Sequence, residues 1–239
     1  MNPGVIGHEY GHLVFSHRVF ANAAVPAPLA SWSLEAFNLL KSIDEGFADF
    51  HGYGVTCLTQ AGCRYFLPWS IDASSDVIAQ RDFTDPSDSK CMTAPLRNAL
   101  QQLDNSQFLG GSNQYLVGTL FTVTMYQASE KLGKRDLMQK ALVAAYDDTS
   151  ASNPGLKQFI SENLNTPAVF TPEAVVNIIA GHISDPELLK TFCGEAANRL
   201  QLVCDGSNTP ATQAPCGFLP NCDHSGWIAG TACPMIPPQ

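Results

Sequence analysis

A histidine, a glutamate and a second histidine stand close together in the stretch HEYGH. His8 and His12 are four residues apart, so on a helix both imidazoles project from the same face. Two neutral imidazole nitrogens held in this way suit zinc, which takes about four ligands in a tetrahedral arrangement. Glu9 lies at the edge of that face, where its carboxylate can accept a proton from an activated water. The pattern predicts a zinc centre in which Glu9 is a general base and not a ligand.

The third ligand is expected from a second helix, in the stretch SIDEGFADFHG. Glu45 and Asp49 are also one helical turn apart and share a face. Glu45 can complete a site of two histidines and one glutamate. Asp49 can accept a hydrogen bond from the other ring nitrogen of a ligand histidine, which fixes its tautomer. The longer motif with a third histidine is excluded, because Phe15 and Arg18 stand where it needs glycine and histidine.

HEYGH followed by DEGFADF resembles the gluzincin metallopeptidases, in particular the thermolysin and fungalysin-like group. The resemblance implies a zinc-dependent peptidase acting on a peptide or protein substrate, and it favours an endopeptidase over an exopeptidase. It assigns His8, His12 and Glu45 as the zinc ligands, Glu9 as the general base and Asp49 as the supporting carboxylate. The similarity is close over residues 4–52 and loose over the later helices.

The later part of the chain departs from this resemblance at the oxyanion donor. Thermolysin-like enzymes carry a histidine just before a later helix, whereas the corresponding stretch GGSNQYLVGTLF has none. Gln114 and Tyr115 occupy the neighbourhood, and a tyrosine hydroxyl can donate the same hydrogen bond. Tyr115 is therefore predicted to be a catalytic residue. The alternative is that Tyr115 only packs, as aromatic side chains at a helix start often do.

Composition excludes other classes of function. The 13 basic against 22 acidic residues give a net charge of -9, whereas a nucleic-acid partner requires a basic surface. No apolar run reaches the roughly 18 residues of a membrane span. Five aspartates cluster in one loop region, and oxygen-rich loops can hold calcium as a further cofactor. Ordinary turns also explain aspartates at such positions. The aspartates concerned are Asp72, Asp76, Asp82, Asp85 and Asp88.

The eight cysteines indicate an oxidising compartment, so we expect a secreted, extracellular or periplasmic protein. Spacing favours the pairs Cys57–Cys63, Cys193–Cys204 and Cys216–Cys222, which leaves Cys91 with Cys233, although the sequence fixes none of them. No export signal precedes His8, and too few residues stand there for the sheet that the resemblance implies. We therefore expect the chain to be the C-terminal part of a longer protein whose N-terminal part carries the export signal and the sheet.

The elements that must position these residues are predicted to be mainly α-helical. Residues 4–20 form a helix with apolar cover on most sides, and a second begins after Ser33. Further helices are predicted within 112–133, 134–148, 153–165, 171–183 and 185–200, with Asn153 capping the third of these. The expected fold is the helical C-terminal portion of an α+β zincin domain over 1–203, followed by a Cys/Pro/Gly-rich, disulfide-held tail over 204–239.

Two non-catalytic alternatives stay open at this point. The missing histidine near Tyr115 is compatible with a protein that keeps zinc for stability or for partner binding. The retained Glu9 counts against this alternative, because a purely structural zinc site has no use for that carboxylate. The other alternative places the function in the cysteine-rich tail, as an adhesion or partner-binding module.

Overall fold

The computed structural model describes residues 3–20, 33–57, 113–163 and 170–200, together with positions 100, 202 and 204. These residues contain seven helices and no strand, which confirms the predicted mainly α fold for this part of the chain. None of these helices is long and apolar enough to cross a membrane. In chain order they are α1 (Pro3–Phe20), α2 (Leu34–Thr56), α3 (Asn113–Glu130), α4 (Arg135–Asp147), α5 (Leu156–Glu162), α6 (Pro172–Gly181) and α7 (Pro186–Leu200).

α1 and α2 pack antiparallel with their backbones in direct contact. Gly7 lies against Gly52, and Gly11 lies against Ala48. A methyl group added at Gly11 would stand 2.6 Å from the Ala48 Cα, and one added at Gly7 would stand 2.9 Å from the Gly52 Cα. Small residues on both helices therefore allow an approach that larger side chains would prevent. This approach brings the polar side chains that flank the contact within hydrogen-bonding distance of each other.

The opposite side of α2 packs against α3, and these two helices run parallel. A methyl group added at Gly46 would stand 2.9 Å from the Gly118 Cα. The Thr122 hydroxyl donates to the carbonyl oxygens of both glycines, at 2.6 Å to Gly46 and 3.1 Å to Gly118. α2 is thus held on two sides by glycine contacts, with α1 on one side and α3 on the other.

The third side of α2 forms the centre of the hydrophobic core. On this side Leu40, Ile43, Phe47 and Phe50 are buried, and Phe37 is partly buried. The Phe47 ring lies 6.0 Å from that of Phe15 on α1, 6.4 Å from that of Phe121 on α3 and 5.9 Å from that of Tyr146 on α4. Phe47 therefore connects four helices through ring contacts, which fixes the orientation of α2 and of the residues on its other faces.

α1 carries apolar side chains on most sides, as predicted, but only one of these sides is buried. Ile6, Tyr10 and Leu13 are 49%, 58% and 66% exposed, and they share the side of α1 that points away from α2. The buried side carries Gly7 and Gly11 together with Phe15. Glycines contribute little to an apolar pattern, so this packed face could not be recognised from the pattern of apolar residues.

Most predicted helix ends are confirmed, with one correction. Ser33 and Thr171 cap α2 and α6, and Gly133, past the end of α3, has a positive φ of 63°. Asn153 does not cap α5, which begins at Leu156 with Gly155 in the cap position. The Asn153 amide instead donates to the Gly181 carbonyl at the end of α6. A long-range bond here replaces the local one that the Asn-Pro sequence favours.

The predicted disulfide between Cys193 and Cys204 is present and ties the residues after α7 back to that helix. Cys57 is also disulfide-bonded. The other cysteines, the five aspartates suggested for calcium and the tail beyond Cys204 lie outside the described residues.

His51, a buried histidine on α2, is predicted to lower the free energy of unfolding at acidic pH. His51 Nε2 lies 2.8 Å from the Tyr146 hydroxyl. Burial lowers the pKa of His51 from 6.5 to about 4; a hydrogen bond with Gln139 opposes that shift and the charge of Arg18 adds to it. In the unfolded chain the ring takes up a proton near pH 6.5, whereas the folded protein resists it until about pH 4. The free energy of unfolding should therefore fall by about 3 kcal/mol between those values.

The measurement is the free energy of unfolding between pH 7 and about pH 4 in a chelator, so that metal loss does not contribute. His51→Gln should flatten the pH dependence, and His17→Gln, on the exposed side of α1, should leave it unchanged. An NMR titration of the His51 ring in the unaltered protein gives the same quantity directly. A ring that titrates near pH 6.5 in the folded state would contradict the expectation.

Candidate metal centre

Two helices bring three potential ligands together at the α1–α2 contact. The Nε2 atoms of His8 and His12 are 3.0 Å apart, one turn from each other on α1. The Oε2 atom of Glu45 on α2 lies 3.5 Å from His8 Nε2 and 3.7 Å from His12 Nε2. One nitrogen or oxygen from each of the three residues lies within 4.8 Å of the others, so the group can hold a metal ion.

Carboxylates behind the two histidines determine which nitrogens face the centre. His8 Nδ1 lies 2.9 Å from Asp49 Oδ1, and His12 Nδ1 lies 2.8 Å from Asp44 Oδ1. An ionised carboxylate only accepts hydrogen bonds, so the bond with Asp44 favours the tautomer of a neutral His12 ring that carries its hydrogen on Nδ1. The Asp49 oxygen 2.9 Å from His8 Nδ1 favours the same tautomer for His8 on electrostatic grounds. Both Nε2 lone pairs then point at one another and at the Glu45 carboxylate. Three acceptors that converge in this way are stabilised by a cation between them, and the residues therefore fit a metal ion.

The site lies at the edge of the helix contact, with one side buried and one side open. Asp49 is 2% exposed and His8 is 4% exposed, whereas the side chains of Glu45 and His12 are 20% and 25% exposed. A carboxylate as buried as that of Asp49 requires a polar or charged neighbour, and its Oδ1 atom lies 2.9 Å from His8 Nδ1. The buried half thus holds the ligands in place, while the open half gives access from solvent.

The local field around the site favours positive charge. Burial lowers the pKa of His12, but the hydrogen bond that His12 donates to Asp44 and the charges of Asp44 and Glu45 outweigh burial and the opposing effect of His8. The pKa of His12 is raised as a result. Carboxylates that stabilise a proton on this ring stabilise a metal cation at the same place for the same electrostatic reason.

The structure separates Glu9 from the three converging side chains. Glu9 follows His8 on α1 but is exposed, and it does not belong to the group that can hold a metal. Its place on the helix lies between the side that carries His8 and His12 and the exposed apolar side. The Glu9 carboxylate is therefore open to solvent.

The structure places Tyr115 in the first turn of α3 and half-buried. It lies one turn before Gly118, which packs against Gly46, the neighbour of Glu45. Its backbone carbonyl accepts a hydrogen bond from the Thr119 hydroxyl at 2.7 Å. The role of the Tyr115 hydroxyl as an oxyanion donor stays a prediction.

Sequence reasoning missed Asp44, the partner of His12. The stretch DEGFAD could have indicated this role, because Asp44 and Asp49 stand on either side of Glu45 in it. Only the antiparallel packing of α1 on α2, with Gly11 against Ala48, shows that His12 reaches the earlier aspartate and His8 the later one.

The chain matches no protein-family model, no curated protein and no solved structure. The geometry of the site therefore carries the argument about function.

Proposed function

We propose that this chain is the helical portion of a zinc-dependent peptidase with an α+β zincin architecture. The observation that carries the proposal is the convergence of His8 Nε2, His12 Nε2 and Glu45 Oε2, with an aspartate Oδ1 atom within 3 Å of each histidine Nδ1. Two imidazoles and one carboxylate form a ligand set typical of catalytic zinc, which keeps a further position open for water or substrate. The exposed Glu9 beside this set supports hydrolysis over a purely structural role.

Each residue then has a distinct task in the cleavage of a peptide bond. Zinc, when bound, supplies a Lewis acid and lowers the pKa of water. The Glu9 carboxylate accepts the proton of the attacking water and passes it to the leaving amine nitrogen. Asp49 holds His8 in its ligand tautomer. The Tyr115 hydroxyl donates a hydrogen bond to the oxygen of the former carbonyl.

An extracellular or periplasmic location belongs to the same proposal. The Cys193–Cys204 disulfide supports it, because such bonds persist in oxidising compartments and are rare in reducing ones. The proposed substrate is a peptide or protein.

A second candidate function is a non-catalytic protein that keeps zinc and binds a partner. The observation that favours it is the exposed apolar side of α1, formed by Ile6, Tyr10 and Leu13, because apolar side chains grouped on a surface often mark interaction sites. The two candidates differ in one measurement. A zinc-loaded protein that cleaves no peptide in a broad library would favour the non-catalytic candidate.

The ligand assignment is tested by Glu45→Ala. The variant should lose most of its zinc, because the remaining imidazoles lack the only charged ligand of the set. We expect one zinc per chain in the unaltered protein and about a tenth of that in the variant after dialysis against a weak chelator. Metal content by mass spectrometry is the measurement.

Glu35→Ala is the matched control for this test. It removes a glutamate from the first turn of α2, far along the helix from the site, and should retain full zinc content. A Glu45→Ala protein that keeps stoichiometric zinc would remove Glu45 from the ligand set.

A further inference from the structure

The two aspartates that flank Glu45 on α2 differ in their surroundings. Asp49 is buried, with its Oδ1 atom 2.9 Å from His8 Nδ1, whereas the Asp44 side chain is 27% exposed and forms a hydrogen bond with His12. Partly exposed ion pairs contribute little to folding stability, because water competes for both groups. The stability of the helix pair therefore does not account for a carboxylate at position 44.

The effect of Asp44 on His12 is specific to one ring nitrogen. If His12 carried its hydrogen on Nε2, the Nδ1 lone pair would face the Asp44 Oδ1 atom at 2.8 Å, which is repulsive. The same tautomer would direct an N–H group at the point where the His8 and Glu45 acceptors meet, and it would remove the lone pair that a metal needs. The carboxylate disfavours both outcomes.

We propose that Asp44 is a positioning residue of the metal centre, which holds His12 in the tautomer that presents its Nε2 lone pair to the metal. Asp44 and Asp49 thus perform the same task for the two ligand histidines from opposite sides of Glu45. This inference rests on the proposed metal centre but not on peptide hydrolysis.

The experiment compares Asp44→Ala and Asp44→Asn with the unaltered protein, using zinc alone as the probe. Zinc affinity is measured by competition with a chromophoric chelator, and the His12 tautomer by two-bond proton–nitrogen NMR on the metal-free protein at alkaline pH. Loss of such a partner typically weakens metal binding roughly 10- to 100-fold, so we expect a loss in this range for Asp44→Ala. The His12 ring should shift from the Nδ1–H tautomer to a mixture.

The conservative variant separates positioning from general packing. Asp44→Asn keeps an oxygen that can accept from His12 Nδ1, so it should retain the tautomer and bind zinc more tightly than Asp44→Ala. Asp147→Ala is the matched control. It also removes one negative charge from a partly exposed pair with α1, here with Arg18, and should leave zinc affinity within about threefold.

Two results would overturn the proposal. One is an Asp44→Ala protein that binds zinc within threefold of the unaltered affinity and keeps the Nδ1–H tautomer. The other is an equal loss of affinity in Asp147→Ala, which would assign the effect to net charge. A protein that shows the expected zinc and tautomer results but cleaves no peptide would contradict the proposed function and leave the role of Asp44 standing.

Discussion

Glu9→Gln should abolish peptide hydrolysis and leave the zinc content unchanged. Glutamine has nearly the same shape as glutamate but cannot take a proton from water, so only the proton transfer is lost. Positioned general acid–base groups contribute about 10²- to 10⁴-fold to rate, and we expect kcat to fall within this range. Since Glu9 is exposed and outside the group of converging ligands, its replacement should not disturb the metal.

The measurement pairs single-turnover cleavage of a fluorogenic peptide library with metal analysis of the same preparation. Glu173→Gln, an exposed glutamate on α6, controls for the loss of one surface charge and should cleave at the unaltered rate. Near-normal turnover in Glu9→Gln would exclude the general-base role. Loss of zinc together with activity would instead place Glu9 among the ligands.

Gly11→Ala should destabilise the protein and weaken zinc binding at the same time. The added methyl group would stand 2.6 Å from the Ala48 Cα and 2.9 Å from the Ala48 carbonyl oxygen, and a backbone cannot relieve such contacts by changing rotamer. Overpacking of a fitted contact costs typically 1–3 kcal/mol, and we expect about 3 kcal/mol here. The added methyl group must push α1 and α2 apart. Gly11 is next to His12 and Ala48 is next to Asp49, so the separation would displace residues of the site, and zinc affinity should fall roughly tenfold or more.

Gly194→Ala is the matched control for this substitution. Gly194 is an exposed residue inside α7, and a methyl group added there meets no atom within 4 Å. Alanine should therefore stabilise the helix by about 0.5–1 kcal/mol through the lower entropy of the unfolded chain. Chemical denaturation and chelator competition provide both readouts. A Gly11→Ala protein as stable as Gly194→Ala would show that α1 and α2 are not held at the distance described.

The sequence was informative where function depends on spacing within one helix. The turn from His8 to His12 and the turn from Glu45 to Asp49 follow directly from helical periodicity, and both pairs meet in the structure. Capping by Ser33 and Thr171 was equally local. Such features depend on a few neighbouring residues, so their physical causes can be read from the chain.

The features that escaped prediction depend on two distant segments. The hydrogen bond from His12 to Asp44 depends on the relative direction of α1 and α2, which the contact of Gly11 with Ala48 sets. The exposed face of α1 was misjudged for the same reason, because apolar side chains suggested burial on a side that α2 does not reach. Asn153 bonds to Gly181 across 28 residues, where its local sequence favours a cap.

The antiparallel pairing of α1 with α2 also bears on the order of events during synthesis. The five side chains of the site, from His8 to Asp49, are synthesised within about 2–8 s of each other at ordinary elongation rates. The glycine contact of α2 with α3 needs Gly118, which is made later. An ion captured by the first two helices would hold them in register during this interval, when α2 still exposes the sides that α3 and α4 will cover. If the ion is zinc, its supply during translation should affect the yield of folded protein.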